Sequence, residues 1–345
     1  MDAKMASWKS TGTYIDAVCP SPANIVDGMW IFRVKRPPGS PPAFKARYVA
    51  RGFSQRQGVD YFHTFSPTSK MTTLRVLLRV AAQRDYELHS LDFSTAFLHG
   101  SLHEEIWLRR PPSFTGTFPA GTQSSLRRPV YGLRQAPRKW HDTLRTTLAA
   151  LGFTPSTTDP LLFLRTEMSL LPIYVLVYVD QLVFATTDTC EVLQRFGFQF
   201  SSPQPTPLST GHSLSAPPSD EFVELSVPPS GMGLVLEGWG LVVLIGHADA
   251  SWVDDSATQR SSRGYTFSLG SGSVSWRSTR LSPVLSSRCE AEIYAGAMAA
   301  QELRWLTYLL TDLGEQTRLP PVLYVDNKAM IALCPSHLRS PSAFC

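Results

Sequence analysis

Leu88-His89-Ser90-Leu91-Asp92-Phe93-Ser94-Thr95-Ala96-Phe97-Leu98-His99-Gly100 decides the fold, together with Tyr174-Val175-Leu176-Val177-Tyr178-Val179-Asp180-Gln181-Leu182-Val183-Phe184-Ala185-Thr186. Tyr86 to Asp92 reads as a strand that ends on a carboxylate, after which Phe93 to Phe97 turns the chain away. The second stretch reads as two apolar strands meeting at Asp180-Gln181. An Asp that ends a strand is most often a turn residue. Two such residues carry a second possibility, because strands that end side by side can bring carboxylates together around hard cations. Spacing alone leaves open whether Asp92 and Asp180 meet.

Working outward, Trp30, Phe32 and Val34 alternate with Ile31, Arg33 and Lys35, the period of a strand. A Pro/Gly turn over 37–42 follows. The return strand sets Phe44, Ala46, Tyr48 and Ala50 against Lys45, Arg47, Val49 and Arg51, so one face of this hairpin is basic. Leu74, Leu77, Leu78 and Ala81 predict a helix over 72–84, with Ser69 as its N-cap. Leu144, Leu148 and Leu151 predict another over 138–152, stopped by Gly152. The first two dozen residues carry little pattern.

Composition changes after Asp188, and 201–230 is rich in Ser and Pro, as linkers are. Regular elements return from about Gly233. A strand through Leu241 to Ile245 leads to Asp249, and a hairpin covers Ser262 to Trp276. A helix runs from about Cys289 to Leu313 with a Leu303, Leu306, Leu310 and Leu313 stripe, and a short strand ends on Asp326.

With 345 residues and 43% hydrophobic content, the chain has enough apolar surface for two cores. Its net charge of +4 does not identify a nucleic-acid partner, but the distribution points to a polyanion. Arg33, Lys35, Arg36, Lys45, Arg47, Arg51 and Arg56 occur with no acidic residue among them, and Arg127, Arg128, Arg134, Arg138 and Lys139 form a second cluster. Five scattered cysteines without a C-x-x-C pair, and no signal peptide at the start, predict a reduced, intracellular protein without structural zinc. The longest apolar run, Leu170 to Val179, is too short to span a bilayer, so no membrane association is expected.

The Leu91-Asp92 segment, Tyr131-Gly132-Leu133-Arg134-Gln135-Ala136-Pro137-Arg138-Lys139-Trp140 and Tyr178-Val179-Asp180-Gln181 occur in that order. They resemble the polymerase motifs of copia-type retrotransposon polyproteins, L-D-V-K-T-A-F-L-H-G, Y-G-L-K-Q-A-P-R-x-W and Y-V-D-D. Lys45-Ala46-Arg47-Tyr48-Val49-Ala50-Arg51-Gly52-Phe53 and Phe65-Ser66-Pro67 extend the resemblance over about residues 1–188. Gly246-His247-Ala248-Asp249-Ala250-Ser251-Trp252, Ser287-Arg288-Cys289-Glu290-Ala291-Glu292-Ile293-Tyr294-Ala295 and Tyr324-Val325-Asp326-Asn327 resemble the ribonuclease H segment of the same polyproteins.

The resemblance implies an α+β chain: reverse transcriptase fingers and palm over 1–188, a linker joining remnants of deleted regions over 189–232, and a truncated ribonuclease H-like domain over 233–345. It implies Mg²⁺ or Mn²⁺ held by Asp92 and Asp180, and by Asp249, Glu292 and Asp326. Glu292 is preferred to Glu290 because an apolar residue follows it. Thr95, Ala96 and Gln135 are expected near the nucleotide, Lys45 and Arg47 near phosphates, and Phe97 as a gate against a ribose 2′-hydroxyl. The implied partners are an RNA template, a DNA primer, an RNA–DNA hybrid and deoxynucleotides.

The departures matter equally. Gln181 stands where the family has a second Asp; it is neutral and longer, so polymerase activity is expected to be weak or absent. No acidic residue follows Asp326, where the family's last ribonuclease H strand and helix would supply a fourth Asp, and the middle is short for a thumb. Weak nuclease activity and reduced stability of that half are expected. The alternative readings are a non-catalytic nucleic-acid-binding remnant, tested by salt dependence, and an untranslated or misfolded fragment.

Overall fold

Every residue of Ile173–Val177 is buried, because this strand is covered on both faces. It forms most of β10 (Ile173–Tyr178), which pairs antiparallel with β11 (Gln181–Thr186) and β9 (Leu162–Arg165). β5 (Glu87–Asp92) flanks β11, and β8 (Thr154–Pro155) closes the other edge, giving the order β5-β11-β10-β9-β8. The computed structural model describes residues 2–36, 41–93, 95–111, 121–166, 172–187, 243–255, 257–270, 272–315 and 320–333. The predicted linker over 189–232, with the whole Ser/Pro-rich segment, lies outside the described residues.

Two helices sandwich this sheet. Trp140, Leu144 and Leu148 of α3 (Ala136–Ala150) pack on Phe163, Val175, Val177, Leu182 and Phe184. Val76, Leu77, Val80 and Ala81 of α2 (Met71–Arg84) pack with Leu162, Tyr174, Leu176 and Ala185, the alternate set of strand residues. The helix patterns at 72–84 and 138–152 therefore mark two core-facing stripes. Ser69 does not cap α2: Lys70 takes the N-cap position without a side-chain cap bond, and Ser69 lines a cavity beside α3.

The basic hairpin is β3 (Gly28–Lys35) with β4 (Ala43–Ala50), registered so that Arg33 faces Lys45 and Ile31 faces Arg47. A further sheet, β1-β7-β6-β2, is built from Tyr14–Val18, Thr122–Leu126, Ile106–Leu108 and Ile25–Val26. Its first strand and helix α1 (Asp2–Ser10) occupy the first two dozen residues, where the sequence shows little pattern. Met5, Trp8, Tyr14 and Tyr48 join its core to the hairpin.

The C-terminal elements form a mixed sheet, β14-β13-β12-β15: Gly272–Arg280, Arg260–Leu269, Leu244–Asp255 and Val322–Val325. Helices α4 (Arg288–Asp312) and α5 (Lys328–Leu333) accompany it. β12 runs through Asp249 rather than stopping before it, with a register shift between Ser251 and Asp255. These elements share one continuous core with α2 and the central sheet, through Leu244, Phe267, Val274, Leu306 and Leu310.

A row of cations along α2 seals the seam. Lys70 Nζ lies 3.8 Å from the Trp305 ring centre, and the Arg75 guanidinium 3.9 Å from that of Trp276. Arg79 Nε donates to Leu269 O at 2.9 Å, and Arg84 forms a two-pronged pair with Glu315 at 2.7 and 3.0 Å. The chain is thus a mixed α/β protein of four sheets in its described residues.

Candidate polymerase and metal sites

β5 and β11 are registered with Asp92 opposite Gln181, and the Phe93 amide donates to Asp180 O at 2.8 Å. Tyr178 pairs with Gln181, so Val179 and Asp180 form the tip of the β10–β11 hairpin. The sheet order therefore brings Asp92 and Asp180 to one end of adjoining strands, with the exposed Gln181 beside them.

Lys45, Arg47, Thr95 and Tyr131 line a cleft of about 80 Å³, together with Ala46 and Tyr48. Phe97 meets Tyr131 edge-on at 4.6 Å, and Arg47 sits 5.8 Å from the Tyr131 ring centre. Burial pushes the Tyr131 hydroxyl above its usual pKa, and the Asp180 charge adds to this; Arg47 opposes it, and Asp92 reinforces it. Tyr131 thus links the basic hairpin, the gate-position aromatic and both carboxylates. The sequence motif contains Tyr131 but singles out Gln135 instead; next to Tyr131, Gly132 has φ of 94° and lies against Ala50 and Val49.

Gln135 is fully buried away from the cleft. It accepts from Gln55 Nε2 at 3.0 Å and donates to Asp60 O at 2.8 Å, tying the start of α3 to the 52–61 loop. Ala96 is buried in the core beside α3 rather than lining the cleft. The second basic cluster is largely engaged within the protein: Arg128 with Leu98 O, Arg134 with Gly52 O, Arg138 with Asp142 and Lys139 with Glu104. Arg33, Lys45 and Arg47 lie on one face of the hairpin, Arg33 directly opposite Lys45.

A second carboxylate group lies in the C-terminal sheet. Parallel pairing of Ala248 with Val325 brings Asp249, within β12, beside Asp326 at the end of β15, and α4 supplies Glu292. One ligand oxygen from each lies within 4.8 Å of the others. Burial, reinforced by the charges of Asp326 and then Asp249, pushes Glu292 up to about 7. Its Oε2 is buried without a hydrogen-bond partner, the condition of an oxygen suited to a cation. Glu290 does different work: Ser287 Oγ caps α4 by accepting from Glu290 N at 3.2 Å, and the Glu290 carboxylate reaches back past the N-cap to accept from Ser286 N at 2.9 Å. Hydrogen bonds from Ser286 hold Glu290 below its usual range.

A sheet ending in paired aspartates, sandwiched by helices and approached by a basic hairpin, defines a polymerase-type α/β unit. The family described as reverse transcriptase (RNA-dependent DNA polymerase) matches residues 13–202, more than half of the chain, and the chain belongs to that family. It is similar to the retrovirus-related Pol polyprotein from transposon RE2 of Arabidopsis thaliana, 30% identical over 416 aligned positions covering 92% of this chain and 28% of the relative. It is also similar to that from transposon RE1 of the same plant, at 28% identity over 91% of the chain and 28% of the relative. The counterpart from transposon TNT 1-94 of Nicotiana tabacum is 26% identical over 96% of the chain and 33% of the relative. The chain therefore spans about a third or less of these relatives' length, and the resemblance to copia-type polyproteins holds. The 416 aligned positions exceed the 345 residues of the chain, so the relative carries stretches with no counterpart here.

Among the described residues, no helix is long and apolar enough to cross a membrane.

Proposed function

We propose that this chain is a retrotransposon-derived reverse transcriptase unit with an impaired polymerase site, joined to a ribonuclease H-like region that keeps three of its metal ligands. The observation that carries the reading is Gln181 opposite Asp92 and beside Asp180. Two carboxylates at one end of a sheet fit a divalent cation, and the neutral side chain at the third position removes a charge that would hold a second. In this reading the domains divide at about 188 and 233.

A bound Mg²⁺ or Mn²⁺ would supply charge stabilisation and activation of a hydroxyl or water. The chain's own residues do the rest. Lys45 and Arg47 draw in phosphate oxygens, with Thr95 at the same cleft. Phe97, buttressed by Tyr131, limits the room at the sugar. Asp249, Glu292 and Asp326 form a second cation site suited to cutting the RNA strand of a hybrid.

Binding of a fluorescent deoxynucleoside triphosphate in Mn²⁺ tests this reading. Affinity should fall at least about tenfold in Asp92→Asn and in Lys45→Ala/Arg47→Ala, the loss of metal- or phosphate-directed charge interactions. Binding indifferent to these changes would sink it. The exposed Arg33–Lys45 cross-strand pair favours one second reading, a module that binds an RNA–DNA hybrid without catalysis. Hybrid affinity falling steeply with salt, together with no metal-dependent cutting, would select it.

A further inference from the structure

The turn that carries Asp180 is strained, and it is clamped from outside its own hairpin. Val179 has φ of 59°, whereas Asp180 is not among the residues with positive φ. This is the pattern of a type II′ turn, whose first central position belongs to glycine. A β-branched residue persists there only where its surroundings over-determine it.

They do so here. Trp140 of α3, only 5% exposed, donates its indole Nε1–H to Val179 O at 2.6 Å. That carbonyl belongs to the peptide between Val179 and Asp180, so holding it fixes the ψ of one and the φ of the other. The indole is itself held, by Phe93 edge-on at 5.0 Å and His99 at 6.1 Å. Phe93 also grips the turn through its amide bond to Asp180 O. A buried tryptophan needs some acceptor for its N–H; this one takes the carbonyl at the strained point of the turn.

We propose that Trp140 is a positioning residue for Asp180: its N–H keeps the Val179–Asp180 peptide in the orientation that presents Asp180 beside Asp92. The inference rests on the reading that these two aspartates hold a divalent cation, and one experiment separates the two. Fe²⁺ with ascorbate and peroxide cuts the backbone beside a bound ion, so it reports each carboxylate group of the full chain independently. Trp140→Phe keeps an aromatic ring, though a smaller one, and removes the N–H. The Fe²⁺ needed for half-maximal cutting around 92 and 180 should rise about five- to tenfold, the scale of one buried hydrogen bond. Cutting around Asp249 and Asp326 should not change. Adding Val179→Gly, which accepts positive φ freely, should bring the value back to within about twofold.

Unchanged cutting around 92 and 180 in Trp140→Phe would overturn the proposal. So would equal loss at both carboxylate groups, which means general damage, or failure of Val179→Gly to restore cutting, which means the ring acts by packing. If instead Asp92→Asn and Asp180→Asn leave the local cutting intact, the metal-binding reading fails, and this inference fails with it.

Discussion

Gln181 and Glu292 show how a single side chain sets what each site can hold. Gln181 pairs with Asp92 across the strands, and on the proposed reading it keeps that pairing while lacking the charge of a carboxylate. Glu292 carries a predicted pH dependence. Its ordinary value of 4.5 is raised to about 7 in the folded chain, so the fold keeps a proton that the unfolded chain has released across that interval. Its contribution to stability is therefore full below about pH 4.5, declines as pH rises, and is gone above about 7. Glu292→Gln should leave the melting temperature nearly unchanged at pH 4.5 and raise it relative to the unmodified chain at pH 8. Mg²⁺ or Mn²⁺ should stabilise the unmodified chain at pH 8 and stabilise the variant less. A melting difference that is flat with pH would contradict this. The aspartates, Glu292 and the basic pair were legible as residue types in a motif. Tyr131 was not, because a tyrosine at a motif edge carries no signal until the fold sets it between Arg47 and Phe97.

Elements were legible where one periodicity dominated. The stripes of α2 and α3, the two hairpins and the long α4 all follow from apolar spacing. Sheet β1-β7-β6-β2 did not, because its strands are two to five residues long and β7 is mostly polar (Thr122-Gln123-Ser124-Ser125-Leu126). Two predictions belong at this scale. Ser287→Ala removes the cap of α4 and should cost about 1 kcal/mol in denaturant unfolding. Gly132→Ala places a methyl group against the Ala50 carbonyl at positive φ. It should cost more than about 2 kcal/mol, because neither the backbone contact nor the dihedral can relax cheaply. Equal stability of that variant would mean that the 131–140 segment is not stapled to β4 as described.

At the scale of the molecule, the chain was expected to fall into two halves, with the second one poorly supported. Among the described residues, α2 contributes to a core cluster that holds residues of both the central sheet and the C-terminal sheet. No sequence pattern announces this, since a helix stripe reveals that a face is buried but not by what. Leu77→Ala, at a fully buried position in the shared core, should cost about 2–5 kcal/mol. Hydrogen exchange should rise together in β10–β11 and in β12–β13; loosening confined to one sheet would show that the halves are energetically separate. The measurement that bears most directly on the whole account is addition of a single deoxynucleotide to a primer on an RNA template, in Mg²⁺ or Mn²⁺, by the purified chain. The unmodified chain should add little or none, Gln181→Asp should add measurably more, and Asp92→Asn in that background should abolish the gain. Robust addition by the unmodified chain, or addition indifferent to Asp92, would contradict it.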